Sequence, residues 1–342
     1  MKAFQVRAPF EFGLAQVDVP QLSRSEVRVD VAYAGICGSD LHIIHGQNAF
    51  VRFPRITGHE FSGVVSEVGA DVAQIKVGDR VCIDPVISCG TCYPCRINRP
   101  NVCTQLQVIG VHRDGGFSEQ VCVPASNVYR LPDTMSLSHA ALVEPYSIAL
   151  NVLDRMQSHP GDSLLIYGAG VIGLTLVQMA RALGLTDITV TDVIDERLQT
   201  ARALGASRTL NGKEVDVEAT MRELTHGEGV PLIVDAACIP ALMPQMVRIA
   251  SPAGRIGLLG FSTTPTDLVQ LEMIKKELTL VGSRLNNRKF ARVIELIASG
   301  KLQVQEMISH RIQFDEMPEA IALIENHPEQ TRKVLVQLNS AL

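Results

Sequence analysis

Residues 163–173 read Ser163-Leu-Leu-Ile-Tyr167-Gly168-Ala-Gly170-Val171-Ile172-Gly173, an apolar run that breaks into glycines and resumes as a helix-spaced apolar stretch to Leu183. A GxGxxG spacing alone says little. Between a strand and the first turn of a helix, it specifies a turn that receives phosphate. Gly168 makes the tight turn, Gly170 lets a pyrophosphate approach the backbone, and Gly173 lets helix and strand pack closely. The helix N-terminus, with Val171 and Ile172 in its first turn, offers unpaired N–H groups and a partial positive charge to the phosphates. The next apolar run, Ile188-Thr-Val-Thr, ends at Asp192. A carboxylate there accepts both ribose hydroxyls of NAD and repels the 2′-phosphate of NADP, so NAD is the expected cofactor. Arg197, five residues further on, either covers the adenine ring or stands solvated on a helix face.

Outward from this turn, strand and helix patterns alternate: Ser163–Tyr167, Ile172–Leu183, Ile188–Thr191, Glu196–Leu204, Leu232–Asp235, Ala241–Ala250 and Arg255–Leu259. Such alternation predicts βαβ units around a doubly wound parallel sheet. Gly260, Phe261, Ser283 and Arg284 follow later strands and are expected to border the nicotinamide. The first third has a different texture. Its short β-type runs, Lys2–Arg7, Val27–Tyr33, Phe61–Val68, Arg80–Ile83 and Phe117–Val123, are broken by Gly, Pro and Asp and predict a compact β barrel. From Ser136 the apolar residues Leu137, Ala140, Ala141, Ile148, Val152 and Met156 recur at helical spacing. After Ser283 a helix over Lys289–Ser299 and strands over Ile308–Phe314 and Lys333–Leu338 are expected. The predicted division is an α/β chain with residues 1–150, completed by 286–342, as one domain and residues 151–285 as the nucleotide-binding domain.

At 342 residues the chain is too long for a single ordinary core, and 46% hydrophobic against 20% charged residues is a globular balance. A formal charge of −5 leaves no electrostatic footprint for nucleic acid or an acidic membrane surface. No apolar run is long enough to span a bilayer, and Met1–Gly13 lacks the apolar core of a signal peptide, so a cytoplasmic location is expected.

Eight cysteines are present, unevenly spaced, which favours metal over a disulfide framework. Cys89-Gly-Thr-Cys92-Tyr-Pro-Cys95 followed by Cys103 supplies four thiolates. Such a set closes a tetrahedral structural zinc site and leaves no position for substrate. An iron–sulfur cluster also accepts four thiolates. The loop around them has too few apolar residues for its own core, so the metal would supply its rigidity.

A second donor set is spread along the chain: Cys37 in Gly35-Ile-Cys37-Gly-Ser39-Asp-Leu-His42, His59 and Glu60 in Gly58-His59-Glu60-Phe-Ser-Gly63, and Glu144 in Val143-Glu144-Pro145. Mixed S, N and O donors suit a catalytic zinc with an open fourth position, where an alcohol would be bound and acidified. Ser39 is placed to take the proton and pass it by way of the cofactor ribose to His42 near solvent.

The runs GICGSDLH and GHEFSG, with Gly69 and Val72 beyond them, resemble the zinc-containing medium-chain alcohol dehydrogenases. The resemblance covers essentially the whole chain. It implies a GroES-like catalytic domain, a Rossmann domain and an active site in the cleft between them. It also implies zinc ligands at Cys37 and His59, with Glu144 where polyol-specific members carry glutamate. Glu60 is implied as a residue that ligates or exchanges with water, Ser39 and His42 as the proton relay, and Cys89, Cys92, Cys95 and Cys103 as the structural zinc site. Two zinc ions per chain and a homodimer or homotetramer follow at the family level.

Substrate is read from finer resemblance. The stretches around Asp84–Cys95, Pro100–Cys103 and Val108–Glu119 are similar to the bacterial group that includes the starvation-sensing dehydrogenase, L-gulonate 5-dehydrogenase and L-galactonate 5-dehydrogenase. This implies a six-carbon sugar acid oxidised at its fifth carbon, L-gulonate to D-fructuronate first, with L-galactonate, a sorbitol-like polyol and L-threonine as alternatives. A sugar acid needs a cation for its carboxylate, ideally the arginine fork. Arg113, Arg52, Arg55 and Arg284 are the candidates, and Asn48 is a candidate partner for a hydroxyl.

Overall fold

The computed structural model describes all 342 residues. They form two compact units, Met1–Glu144 with Asn286–Leu342, and Pro145–Leu285.

The second unit is built on a six-stranded parallel sheet, in the order Arg208–Asn211, Ile188–Asp192, Leu164–Tyr167, Val230–Asp235, Ala250–Leu258 and Thr279–Gly282. Leu164–Tyr167 lies at the topological switch. The chain winds outward from it on one side through Ile188–Asp192, then crosses to the other through Val230–Asp235. A crevice opens at the carboxyl ends of strands at such a point. Leu164, Leu165 and Ile166 are fully buried, and burial on both sheet faces explains a continuous apolar run where a half-exposed strand would alternate. The helix Val171–Ala182 sits tightly on this strand: a Cβ at Gly173 would fall 1.9 Å from the Gly168 carbonyl oxygen.

Two elements of this unit carry no clear signal in the chain. The strand Arg208–Asn211 is half-buried and polar at both ends, so it offers neither an apolar run nor clean alternation. The helix Val217–Leu224 is short, and its start is marked only by Asp216, whose side chain accepts from Ala219 N.

In the first unit the strand Glu26–Gly35 is the organiser. It pairs antiparallel with Glu60–Val68, Gln120–Pro124 and Lys333–Gln337. Val27, Val29 and Val31 are buried, as their alternation requires. Arg80–Ile83 and Val128–Arg130 extend the sheet on one side, and Ile308–Gln313 extends it on the other, parallel to Lys333–Gln337. A three-stranded sheet (Glu11–Gln16, Lys2–Ala8, Arg55–Ile56) and a two-stranded one (Val86–Ile87, Gln107–Val108) complete the unit.

The strand expected from Phe117 starts only at Gln120. Phe117 is instead a buried anchor: its N–H bonds Thr57, its carbonyl accepts from Phe4, and its ring packs edge-on to Phe4. The helical pattern from Leu137 is two helices, Leu137–Ala140 and Val143–Arg155. No helix is long and apolar enough to cross a membrane.

Candidate active site

Strand register decides where the chemistry meets. Gly35 lies opposite Glu60 across one strand pair and opposite Leu335 across the other. The residues just past Gly35, among them Cys37, are thereby brought against the His59-Glu60 run and the strand beginning at Lys333. Donor atoms of Cys37, His59 and Glu60 all lie within 4.8 Å of one another. His59 and Glu60 are buried and Cys37 is half-buried.

A short helix, Gly38–Ile44, fixes the first ligand. Cys37 is its N-cap residue, and Asp40, three residues on, reaches back with Oδ2 to accept the Cys37 N–H at 2.9 Å. Oδ1 of Asp40 accepts the Gly58 N–H at 3.1 Å and lies 3.8 Å from His59 Nδ1. One buried carboxylate thus positions the backbone on both sides of the cluster. The spacing Cys37-Gly-Ser-Asp40 is that of a capping box, a signal available in the sequence.

The electrostatics are those of a crowded, dry site. Burial disfavours a charged His59, yet the Cys37 sulfur, Asp40 and Glu144 outweigh it and raise the imidazole pKa well above its ordinary value. Burial, reinforced by Glu60, pushes Glu144 up to about 8. Glu144 is buried beside the cluster but is not one of the three residues whose donor atoms converge. Lys333 carries no sequence motif and was not among the expected site residues. It is 1% exposed, and its Nζ lies 2.9 Å from Glu60 Oε1, 2.7 Å from Oε2 and 3.0 Å from the Ile36 carbonyl oxygen.

A divalent ion fits this arrangement on its own terms. His59 Nδ1 is buried without a hydrogen bond, beside a thiol and several carboxyl groups held out of water. The thiol, imidazole and carboxylate that converge there are the mixed S, N and O donors that a zinc ion takes. Ser39 Oγ lies 3.5 Å from His59 Nε2. His42, three residues along the same helix face, is exposed.

The four-cysteine lobe passes a similar test. Cys92 Sγ lies 3.4 Å from Cys95 Sγ and 3.6 Å from Cys103 Sγ, and Cys103 Sγ lies 3.5 Å from Cys89 Sγ. A tetrahedron with zinc–sulfur bonds of about 2.3 Å has edges of roughly 3.8 Å. Backbone N–H groups of Cys92 and Gln105 point at the sulfurs of Cys89 and Cys103. The N–H of Thr104 and that of Cys95 help pull the Cys92 thiol down to about 5.

In the second unit the glycine turn is shaped as expected. Gly168 has φ +96°, and a Cβ there would meet the Ala237 backbone at 2.9 Å. At Gly170 a Cβ would meet nothing within 4 Å, so the space over the helix N-terminus is open. Val171 and Ile172 are half-buried in the first turn. Asp192 accepts from Ala169 N at 2.7 Å through Oδ2, and from Val193 N and Ile194 N at 2.7 and 3.0 Å through Oδ1. Arg197 is half-buried on the helix Asp195–Ala203. At the end of the last strand, Ser283 is held by Asn151, whose Nδ2 donates to Ser283 Oγ at 3.0 Å and to the Leu285 carbonyl at 3.1 Å. The Arg284 guanidinium lies over the Phe261 ring at 6.0 Å.

The candidate carboxylate binders fare differently. Arg113 pairs with Glu26 at 2.5 Å and Arg55 with Asp114 at 2.7 Å. Both guanidiniums are committed to acids of the fold, because each sits beside a carboxylate the sequence places far away. Arg52 is exposed, and Asn48 Oδ1 accepts the Phe50 N–H at 2.9 Å.

Comparison with known proteins places the whole arrangement. Residues 23–133 match the alcohol dehydrogenase GroES-like domain, and residues 171–299 match the zinc-binding dehydrogenase domain. The chain is 43% identical to the starvation-sensing protein RspB of Escherichia coli K12, over 98% of this chain and 99% of that one. It is 32% identical to galactitol 1-phosphate 5-dehydrogenase of the same organism, over 90% and 92% of the two chains. The crystal structure of the RspB alcohol dehydrogenase from E. coli CFT073 in complex with NADH superposes with a TM-score of 0.95 at 42% identity, covering 99% of both chains. With its converging thiol, imidazole and carboxylate and its glycine turn at a topological switch, the chain belongs to the zinc-type medium-chain alcohol dehydrogenase family and is a dehydrogenase.

Proposed function

We propose that this dehydrogenase is NAD-linked and oxidises the secondary hydroxyl at the fifth carbon of a six-carbon sugar acid, L-gulonate to D-fructuronate before L-galactonate. The observation that carries the reading is the convergence of Cys37, His59 and Glu60 in a chain that also bears the Gly168–Gly173 turn with Asp192 at the next strand end. Cys37, His59 and an acid, Glu60 or Glu144, hold the catalytic zinc, and Cys89, Cys92, Cys95 and Cys103 hold the structural one. When bound, zinc makes a hydroxyl acidic and NAD accepts the hydride.

The chain's own residues do the rest. Ser39 takes the hydroxyl proton, and His42, exposed on the same helix face, returns it to solvent. Asp40 keeps the Cys37 and Gly58 backbones in register. Asp192 holds the ribose hydroxyls, and Ser283 and Arg284 border the nicotinamide from the carboxyl end of the last strand. Glu144 in place of a third thiol, and a chain with 4% aromatic residues and no Trp, support a polyhydroxylated substrate. With Arg113 committed to Glu26, Arg52 and Arg284 are the counter-ions proposed for the carboxylate, and Asn48 a hydroxyl partner. Cysteines gathered at metal-ligand spacing rather than in a disulfide framework support a cytoplasmic setting.

The deciding experiment follows NADH formation with L-gulonate, L-galactonate, sorbitol and L-threonine. The sugar acids should give the highest kcat/KM, and Arg52→Ala or Arg284→Ala should raise KM for the acid more than for the neutral polyol. Equal rates on sorbitol, or no arginine effect, would remove the sugar acid from the reading. Cys37→Ser should lower the zinc content from two per chain to one and abolish turnover.

A further inference from the structure

The buried lysine is a charged group at the metal cluster to which the family reading gives no task. Lys333 reaches Glu60 across 273 residues of sequence and is enclosed with it, both side chains being almost wholly buried. Its Nζ spans both carboxylate oxygens and the Ile36 carbonyl, one residue before Cys37. A second feature shapes the same spot. A Cβ on Gly35 would lie 2.3 Å from Glu60 Oε2 and 3.2 Å from Lys333 Cδ, so only a bare Cα leaves room for the carboxylate. Yet Glu60 also has an oxygen within reach of the Cys37 and His59 donors. It stands between two cations, a resident ammonium and the metal.

We propose that Lys333 and the bare Cα of Gly35 form a holding site for the Glu60 carboxylate, so that Lys333 is a positioning residue that limits how far Glu60 acts as a metal ligand. The inference rests on the reading that Cys37, His59 and Glu60 bind the catalytic ion. Without the ammonium, the buried carboxylate has only the metal as a cationic partner and closes onto it. An added anionic ligand fills the position substrate needs and slows departure of the ion.

The test uses full-length protein with the exchangeable catalytic zinc replaced by Co2+, the four-cysteine zinc left in place. The visible cobalt bands and the rate of cobalt extraction by dipicolinate are recorded for wild type, Lys333→Met, Lys333→Arg and Gly35→Ala. Lys333→Met should alter the bands and slow extraction roughly tenfold, the scale on which groups outside the coordination sphere tune metal sites. Lys333→Arg should restore most of both. Lys333→Met/Glu60→Gln should lose the slow extraction, since the amide is a poor ligand. Gly35→Ala displaces the carboxylate without deleting a charge and should shift the bands in the same direction, which keeps the idea testable where Lys333→Met does not fold. Wild-type cobalt bands left unchanged by Lys333→Met or by Gly35→Ala overturn the holding site alone. A wild type that takes up no cobalt outside the four-cysteine lobe overturns the metal reading beneath it.

Discussion

Asp192 is the residue proposed to set cofactor choice, and its local structure bears on that role. Its two oxygens gather three backbone N–H groups, one from the glycine turn and two from Val193 and Ile194, just before the helix Asp195–Ala203. The carboxylate is thus oriented before any ribose arrives, and such preorganisation lowers the cost of binding. Asp192→Ala should raise KM for NAD at least tenfold, the equivalent of losing about 1.5–3 kcal/mol in charged hydrogen bonds, and should narrow the preference over NADP. Steady-state kinetics with both cofactors check it, and an unchanged ratio would free Asp192 of the role. Asp192 was legible because its place, at the end of the strand after a glycine turn, is a local pattern. Lys333 was not. It opens an ordinary strand sequence, Lys333-Val-Leu-Val, and nothing local marks that its ammonium is buried against Glu60.

The four-cysteine lobe is an element that its own side chains do not hold. Its helix Tyr93–Arg96 has no buried residue, and Tyr93 and Ile97 are exposed. It is tethered at the tip by Asn98, whose carbonyl and side chain take hydrogen bonds from Asn287 and Arg288, and at the root by Asp84, which accepts from Asn286. With the metal removed, or with Cys95→Ser, the lobe should open. Limited trypsin digestion should then cut after Arg96 at least tenfold faster than in the zinc-loaded protein, and equal rates would show that the metal is not what stiffens the loop.

The root carries a pH dependence of its own. Burial raises Asp84 from 3.8 to about 6, against the opposing hydrogen bonds from Asn286 and Val86. A carboxyl whose folded pKa is raised costs nothing at pH values below its unfolded pKa. Its cost grows as pH climbs through the window from about 4 to about 6, then stays constant. Asp84→Asn keeps the acceptor oxygen and removes the charge. It should therefore be more stabilising at pH 8 than at pH 5 by roughly 1 kcal/mol, read from urea unfolding at the two pH values. A pH-independent difference would mean that Asp84 does not titrate in that window.

At the scale of the molecule, the parallel sheet of the second unit ends in an exposed edge. Thr279–Gly282 pairs on one side only, with Ala250–Leu258, and both its end residues are exposed. Close by in sequence, Val269, Leu271 and Ile274 are exposed apolar residues at 65%, 65% and 73%. Unpaired edges and apolar patches invite pairing with another chain. A second copy pairing along this edge, the sheet-to-sheet pairing that the family resemblance implies, is the proposed assembly. Light scattering should give a dimer or tetramer, and Ile274→Glu should shift it toward monomer. A wild-type monomer at micromolar concentration would remove this interface.

What the sequence by itself determined is whatever lies within a few residues of itself: the glycine turn at Gly168–Gly173, the acid Asp192 at the end of the strand after it, and four cysteines close enough to share one ion. These follow from spacing, because backbone geometry over one turn or one strand leaves little freedom. Family resemblance extended this to Cys37, His59 and Glu60, whose donor atoms converge, while Glu144 stands outside that set. Only the tertiary structure decided which charges face which. Two strand registers through Gly35 set Lys333 against Glu60, and folding committed Arg113 to Glu26. Partners so far apart in the chain are selected by packing and desolvation, and no local pattern records either.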